Sequence, residues 1–511
     1  MKDLFLKKPK KGTNDKSNSD KTKGSKKQLG LNILGSLINL VFGVLSGIVL
    51  TPFLIGKMGV SAFGIIALVN NIILYFGILT LIVNSASSRF VTIEIAHKNF
   101  ERAQRIFSTT FWSLLIINIV ILIIGIIGAF NLEKLISIPE GYELDTKIIF
   151  VCAVFSWCLT AISSPWGISL FSANRLDLLG LINSTQRVVY FIFSIILISF
   201  VSTRPYILAI PIFLGSLTIF ILKFISWRKF LPNLNVNFSI DKEILRDTTS
   251  FGTWVSIDRL GMLFLTSVEL ILVNKLIGTK AGGEYASLLQ WSILIKNLSI
   301  AVATSFGPSM AYLYADKKIN ELTSYTKRAI RLTSILVVLP SAAIFGFASP
   351  ILLVWLGNDF VHLAPLFVLI TIHLAVNMSL HPLSELQQTI SKVKVPSIVT
   401  CFIGLVNILL SIYLVKNTGL GMYGVALAGA ATYFIKNVIF NTIYSANILN
   451  IKWYGFLNEI VRTIVFLTIM SCVAFVVNQY SNIDSLQKLM VSGFIFLVLY
   501  LIFTWFFMVS N

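Results

Sequence analysis

Apolar runs of about twenty residues recur from Leu29 to Val509, and nothing else in the chain restricts its fold as strongly. A run of that length crosses a ~30 Å hydrocarbon core at about 1.5 Å per residue. No water is available there, so every backbone N–H and C=O must pair within the chain, and only helices and closed barrels satisfy that demand. The runs are continuous, not alternating, which argues against a barrel. Only 12% of the 511 residues are charged and 56% are hydrophobic, about half the charged share of a soluble domain. The expectation is an all-α polytopic membrane protein.

Fourteen transmembrane helices are read, near 29–55, 60–84, 108–130, 148–170, 188–202, 206–226, 251–277, 284–307, 332–356, 364–386, 397–415, 421–443, 463–478 and 489–509. Basic residues gather in alternate loops. Arg89, Lys98, Arg102 and Arg105 fall between spans two and three, Arg175 and Arg187 between four and five, and Arg228, Lys229, Lys242 and Arg246 between six and seven. Lys317, Lys318, Lys327, Arg328 and Arg331 follow span eight, Lys392 and Lys394 span ten, and Lys452 and Arg462 span twelve. The longest opposite loop, "NLEKLISIPEGYELDTK", carries Glu133, Glu140, Glu143 and Asp145. The positive-inside rule then places both termini in the cytoplasm of a multi-pass cell-membrane protein.

Residues 1–28 hold ten Lys against three Asp and no apolar core. They read as a disordered basic cytoplasmic tail that meets anionic lipids, without the apolar segment and cleavage site of a signal peptide. The net charge of +19 therefore reflects topology and lipid contact, and not a nucleic-acid partner. Cys152, Cys158, Cys401 and Cys472 lie in predicted spans without CxxC spacing and read as small apolar residues.

The chain repeats itself weakly. "GKMGVSAFGIIAL" near Lys57 and "NKLIGTKAGGEYASL" near Lys275 share Gly59, Ala62 and Gly64 with Gly278, Ala281 and Gly283, at an offset of 219. The same offset sets Asn39 on Asp258 and Lys98 on Lys317. "PWGISLFSANR" from Pro165 meets "PLSELQQTISK" from Pro382 at an offset of 217, which sets Arg175 on Lys392. Duplication of a six-helix unit explains the order and spacing, and an even helix number makes the copies parallel. The expected plan is two pseudo-symmetric lobes, 29–226 and 251–449, a cytoplasmic linker at 227–250, and two further helices in 450–511.

"LTPFLIGKMGVSAFGIIAL", together with the Pro165 to Arg175 unit and the six-plus-six-plus-two layout, resembles the polysaccharide-transporter branch of the multidrug/oligosaccharidyl-lipid/polysaccharide (MOP) flippase superfamily. The resemblance covers nearly everything after residue 28. It implies a MATE-like, V-shaped, two-lobe transporter, not an enzyme. Such a protein moves a polyprenyl-diphosphate-linked oligosaccharide from the cytoplasmic to the outer leaflet, with a cationic cavity for the diphosphate. It also implies a place among other polysaccharide-assembly membrane proteins. Unlike the lipid II flippases, this chain has no Arg in its first span.

"FGTWVSIDRLGMLFLTSVELILVNKLIG" reads as span seven yet contains Asp258, Arg259 and Glu269. Each charge facing open lipid costs roughly 2.5–3.5 kcal/mol on insertion scales, so the three are expected to meet partners or water between the lobes. At about 100° per residue, Asp258 and Glu269 share one face. They are the candidates for H⁺ or Na⁺ coupling. Arg259 and Lys296 are the candidate head-group cations, with Arg89 at the cytoplasmic mouth, because a diphosphate entering a low-dielectric cleft must be neutralised. Asn32, Ser36 and Asn39 form, with Gly43 and Ser46, a small-polar stripe on span one. The stripe, extended by Asn70, Asn71, Tyr75, Gln290 and Asn297, reads either as helix packing or as a sugar-facing wall. On this reading the first lobe is neutral and the second charged.

His373 and His381 stand eight apart without a third ligand, so no metal is expected. No phosphate-binding lysine loop appears, and no cofactor is implied. The competing readings are a multidrug or small-solute antiporter of the same superfamily, and a membrane-bound polysaccharide polymerase or ligase. The inter-span loops are short for the latter.

Overall fold

A computed structural model describes residues 46–509 throughout and, before them, residues 31, 35, 38, 39 and 41–44; the side chains of residues 85, 86, 89, 96, 247, 250, 251, 508 and 509 are outside that description. The basic tail, Asn32, Ser36 and the Arg89 side chain therefore lie outside the described residues.

Thirteen helical stretches among the described residues are long and apolar enough to cross a membrane. The first half contains α1 (Val41–Met58, taken together with the helical residues Leu31, Gly35, Ile38 and Asn39 ahead of it), α2 (Val60–Ala96), α3 (Phe100–Phe130), α4 (Glu143–Ser172), α5 (Leu176–Phe200) and α6 (Pro205–Phe230). The charged stretch comes next. It forms α7, which runs Lys242–Thr266 and continues after Ser267 as Val268–Leu276. Its charges keep it outside the thirteen, and it completes the fourteen helices expected. The rest are α8 (Thr279–Ala315), α9 (Ile319–Leu356), α10 (Asn358–Thr389), α11 (Lys394–Thr418), α12 (Met422–Ile448), α13 (Leu457–Ser481) and α14 (Leu486–Phe507).

The fifth helix corrects the sequence reading. It begins at Leu176, not near 188, so Arg187 sits inside a helix and not in a loop. Asp177 and the polar run from Asn183 to Arg187 interrupt its first half, but helix formation needs only one apolar face when another helix covers the rest. Here α1 covers it: a Cβ on Gly180 would meet the Gly35 carbonyl oxygen at 2.5 Å, and one on Gly35 would meet the Asp177 Cα at 2.7 Å.

The internal repeat is written in the backbone. Gly59 (φ 87°) and Gly278 (φ 134°) precede the first residues of α2 and α8 in a conformation that favours glycine. Lys98 (φ 61°) and Lys317 (φ 57°), at the same offset, both turn left-handed after those helices. Asn174 (φ 54°) and Ser391 (φ 57°) do likewise at the offset of 217. A left-handed non-glycine residue is uncommon enough that two such coincident pairs, beside the glycine pair, mark equivalent turns.

Within the first half α2 packs on α3, α3 on α4, and α6 on both α4 and α5; in the second, α10 packs on α8, α9 and α12, and α11 on α12. α13 lies along α9, and α14 rests on α13. The halves meet where α2 runs along α7 and α8. Lipid tails are as apolar as leucine, so such contacts depend on close backbone approach. Gly64 and Gly283 supply it: a Cβ on Gly64 would lie 2.9 Å from the Gly283 nitrogen, and one on Gly283 would collide with the Val60 carbonyl.

Candidate functional site

The surroundings of α7 follow from its helical geometry. At about 100° per residue, three directions around it are filled. Gly252, Ser256 and Leu263 face α2. A Cβ on Gly252 would strike the Ile82 carbonyl, Ser256 Oγ donates to the Ile78 carbonyl at 3.2 Å, and Tyr75 Oη donates to the Leu263 carbonyl at 3.5 Å. Gly261 and Phe264 face α11, where Gly261 abuts Cys401 and Asn407 Nδ2 donates to the Phe264 carbonyl at 3.1 Å. Asp258 and Met262 face α12. Lys436 Nζ on that helix reaches Met262 Sδ at 3.1 Å and interacts electrostatically with Asp258. Arg259 occupies the remaining angle, between α2 and α12 and away from α11, and is exposed. That puts an exposed cation at mid-span on the helix through which the halves meet.

Glu269 also faces α12, against Gly429, where a Cβ would collide with its carboxylate. Gly429 and Lys436 are seven residues apart and share a face of α12. Tyr285 Oη, fully buried, donates to Glu269 Oε2 at 3.0 Å. Lys296 feels the Glu269 charge without forming a direct ion pair, and its ammonium sits 5.3 Å from the Tyr433 ring centroid. His373 packs against the same ring at 5.8 Å, and its Nδ1 lies 3.2 Å from Asn377 Nδ2. Glu269, Tyr285, Ser292, Lys296, His373 and Tyr433 line a small cavity of about 10 Å³, room for about one water molecule. Two buried polar atoms on its wall, Tyr433 Oη and Ser292 Oγ, have no hydrogen-bond partner.

Each of the two mid-span carboxylates of α7 thus has a lysine from another helix, Asp258 with Lys436 and Glu269 with Lys296. Lys436 opens a short π-helical segment, Ile435–Asn441, in the middle of α12. Such bulges rotate one side chain out of register and recur at functional sites. A polar layer continues beside it, with Asn441 Nδ2 donating to Asn437 Oδ1 at 3.1 Å and Gln387 Nε2 to Ser445 Oγ at 2.9 Å.

The first half is not neutral. Arg187 Nη1 donates to the Asn39 carbonyl on α1 at 3.2 Å, and the guanidinium lies where a Gly43 side chain would be. No carboxylate pairs with it among the described residues. One turn farther, a Cβ on Gly47 would be 3.0 Å from Gln290 Oε1 on α8. α1 therefore lies between a first-half cation and the polar face of α8. Asn39 Oδ1 is buried without a partner. Asn70 and Asn297 are exposed and Asn71 is half-buried, whereas Tyr75 is spent on the contact with α7. Lys223 on α6 is buried beside Gly167.

Sequence reasoning did not single out Arg187, Lys436 or Lys223, three cations within the helical spans. The two lysines were visible as charges inside predicted spans. Arg187 was hidden by a helix boundary set from hydropathy alone.

Residues 57–365 match the family model described as "Polysaccharide biosynthesis protein". The chain is 28% identical over 472 residues to the uncharacterized membrane protein EpsK of Bacillus subtilis (strain 168), covering 91% of this chain and 92% of that one. Its fold is similar to that of the lipid II flippase MurJ in an inward closed conformation, with a TM-score of 0.67 and 16% identity over 93% of this chain and 98% of that one. It is similar too to an inward-facing multidrug resistance MATE family transporter of the MOP superfamily, with a TM-score of 0.66 and 15% identity over 86% of this chain and 98% of that one. With more than half of its length matched by that model and a MOP-type fold throughout, the chain belongs to the polysaccharide biosynthesis protein family.

Proposed function

We propose that this protein is a flippase for a polyprenyl-diphosphate-linked oligosaccharide, carrying it from the cytoplasmic to the outer leaflet of the cell membrane by alternating access. Both termini are cytoplasmic in this reading. The lobes 29–226 and 251–449 rock about the α2–α7–α8 contact, the segment 227–250 links them, and 450–511 is an appendage. The observation that carries the reading is Arg259, exposed at mid-span in the angle between α2 and α12. A charge there is worth roughly 2.5–3.5 kcal/mol of insertion penalty, which a diphosphate offsets by charge-assisted, forked hydrogen bonding. Lys296 and Arg187 flank the same region from α8 and α5, and Arg89 belongs to the mouth. Asn39, Asn71, Gln290 and Asn297 supply hydrogen bonds to sugar hydroxyls.

Coupling to H⁺ or Na⁺ belongs to Glu269 and Asp258. Glu269 is the stronger candidate, because its cavity has polar atoms to spare. Anionic lipids and other polysaccharide-assembly proteins are the expected neighbours. The deciding experiment is lipid analysis of a deletion strain. Accumulation of cytoplasm-facing lipid-linked repeat units supports the flippase. Altered drug tolerance with intact glycan would point to an antiporter, and single repeat units exposed outside would point to a polymerase.

A further inference from the structure

Apart from the mid-span site, a cleft of about 800 Å³ lies at the far end of α8, between that end and the start of α9. Its volume falls within the ~300–1,000 Å³ typical of ligand sites. α8 spans 37 residues, about 55 Å of helix, against a hydrocarbon core of ~30 Å. Its last turns therefore project beyond the lipid, on the side that carries Lys317, Lys318 and Lys327.

The cleft has a local cause. α8 breaks after Ser305, and Gly307 and Pro308 restart it as a separate segment, Gly307–Ala315. Proline removes a backbone donor and bends the helix, so the segment splays from α9. A rigid floor holds the gap open, made of the fully buried Met310, Leu322 and Ala329. The internal repeat supplies a comparison. In the first half the equivalent gap between α2 and α3 is bridged by the ion pair of Arg102 with Glu94, 3.5 Å. At the offset of 219 those positions are Glu321 and Leu313, and no bridge forms.

The lining has a definite chemistry. Tyr312, 65% exposed, and Tyr325 bring aromatic faces; Tyr325 is held edge-on by Phe306 at 5.8 Å. Arg328 is exposed and makes no ion pair among the described residues. Asn320, Glu321 and Ser324 complete a set of donors and acceptors. Ring faces beside a guanidinium, an amide, a carboxylate and a hydroxyl suit a ligand with many hydroxyls and apolar ring faces. Glu321 pairs with Lys318 at 3.6 Å, which leaves Arg328 as the one unpaired charge among the lining residues, too little for a polyanion, and the polar rim disfavours a lipid tail. An exposed stripe on α8, through Asn297, Ile300, Thr304 and Pro308, joins this cleft to the mid-span site.

We propose that the α8–α9 cleft is a loading site that holds the glycan of the lipid-linked substrate at the basic end of the protein before it reaches the mid-span site. This rests on the flippase reading and on its orientation. The test uses the full-length protein in lipid nanodiscs. The probe is the oligosaccharide released by mild acid from the lipid-linked intermediates of the native host, and saturation-transfer NMR is the readout. Wild type and Tyr312→Phe are expected to give equal transfer, while Tyr312→Ala and Arg328→Ala lower it at least fivefold and slow export with normal protein abundance. Transfer unchanged in both alanine variants, or absent in wild type at millimolar probe, overturns the cleft assignment. So does photo-crosslinking from position 312 that captures residues 1–28 in place of glycan. The deletion strain separates the two readings. Accumulated lipid-linked units with an indifferent cleft sink only the loading site, whereas no accumulation sinks the flippase itself.

Discussion

Arg187 Nη1 on α5 donates to the Asn39 carbonyl on α1 at 3.2 Å, and the guanidinium fills the space beside Gly43. Among the described residues, one of its five donors has a partner, at mid-span, and no carboxylate pairs with it. An intramembrane cation in that condition is a functional group by default. Arg187→Ala is expected to reduce glycan export about ten- to hundredfold, the equivalent of ~1.5–3 kcal/mol for a charged hydrogen bond, with protein abundance near normal. Arg187→Lys should fall between, since it keeps the charge and loses the fork. Wild-type export in Arg187→Ala would remove the residue from the site.

Glu269 and Tyr285 form the second relationship to test. Glu269→Gln keeps the shape of the cavity and abolishes its charge, so transport by reconstituted protein should lose its dependence on a proton or sodium gradient. Tyr285→Phe removes the donor at 3.0 Å and should shift the pH profile without abolishing transport. Asp258→Asn is the matching variant on the same helix face. Gradient dependence preserved in both carboxylate variants would exclude coupling at α7.

The Gly64–Gly283 approach holds α2 against α8. Gly283→Ala forces a methyl into the Val60 carbonyl, and Gly64→Ala adds a second clash. Both should loosen that end of the inter-half contact. In a background without the four native cysteines, a cysteine at Ala281 should react with maleimide several times faster once Gly283 is replaced. Equal labelling rates would mean that the contact is not closed in solution.

Stability of the appendage rests on another pair. Arg331 on α9 grips Glu459 on α13 through two bonds, Nε to Oε2 at 2.7 Å and Nη2 to Oε1 at 3.0 Å, with Arg462 at 3.8 Å. Glu459 is 4% exposed. Glu459→Ala leaves two cations facing each other and should lower stability by about 3–5 kcal/mol, the usual penalty for breaking a buried pair. The double variant Arg331→Met with Glu459→Leu should recover most of that loss. Thermal melts in detergent provide the measurement, and a double variant no better than the single one would contradict the account.

The membrane spans were readable from the chain because solvation by hydrocarbon is a local property. Twenty apolar residues in a row declare a span wherever they occur, and a charge among them declares an anomaly. Asp258, Arg259, Glu269 and Lys296 were conspicuous for that reason. The repeat was readable too, since turns such as those at Lys98 and Lys317 impose their own residue preferences. Boundaries were less secure. Hydropathy ended span five near residue 188, whereas α1 shelters a polar first half that carries the helix back to Leu176.

What each charge faces is a different kind of information. The chain alone established that α7 needs compensation, and packing chose the compensators: Lys436 from a residue 178 positions away from Asp258 in the chain, and Lys296 for Glu269. Helical periodicity says which residues share a face of one helix. It does not say which other helix that face meets, because a few glycine contacts and a bulge in α12 select the neighbour. Only the folded bundle sets Arg259 at the angle between α2 and α12, and places Arg187 against α1 where a neutral lobe was expected.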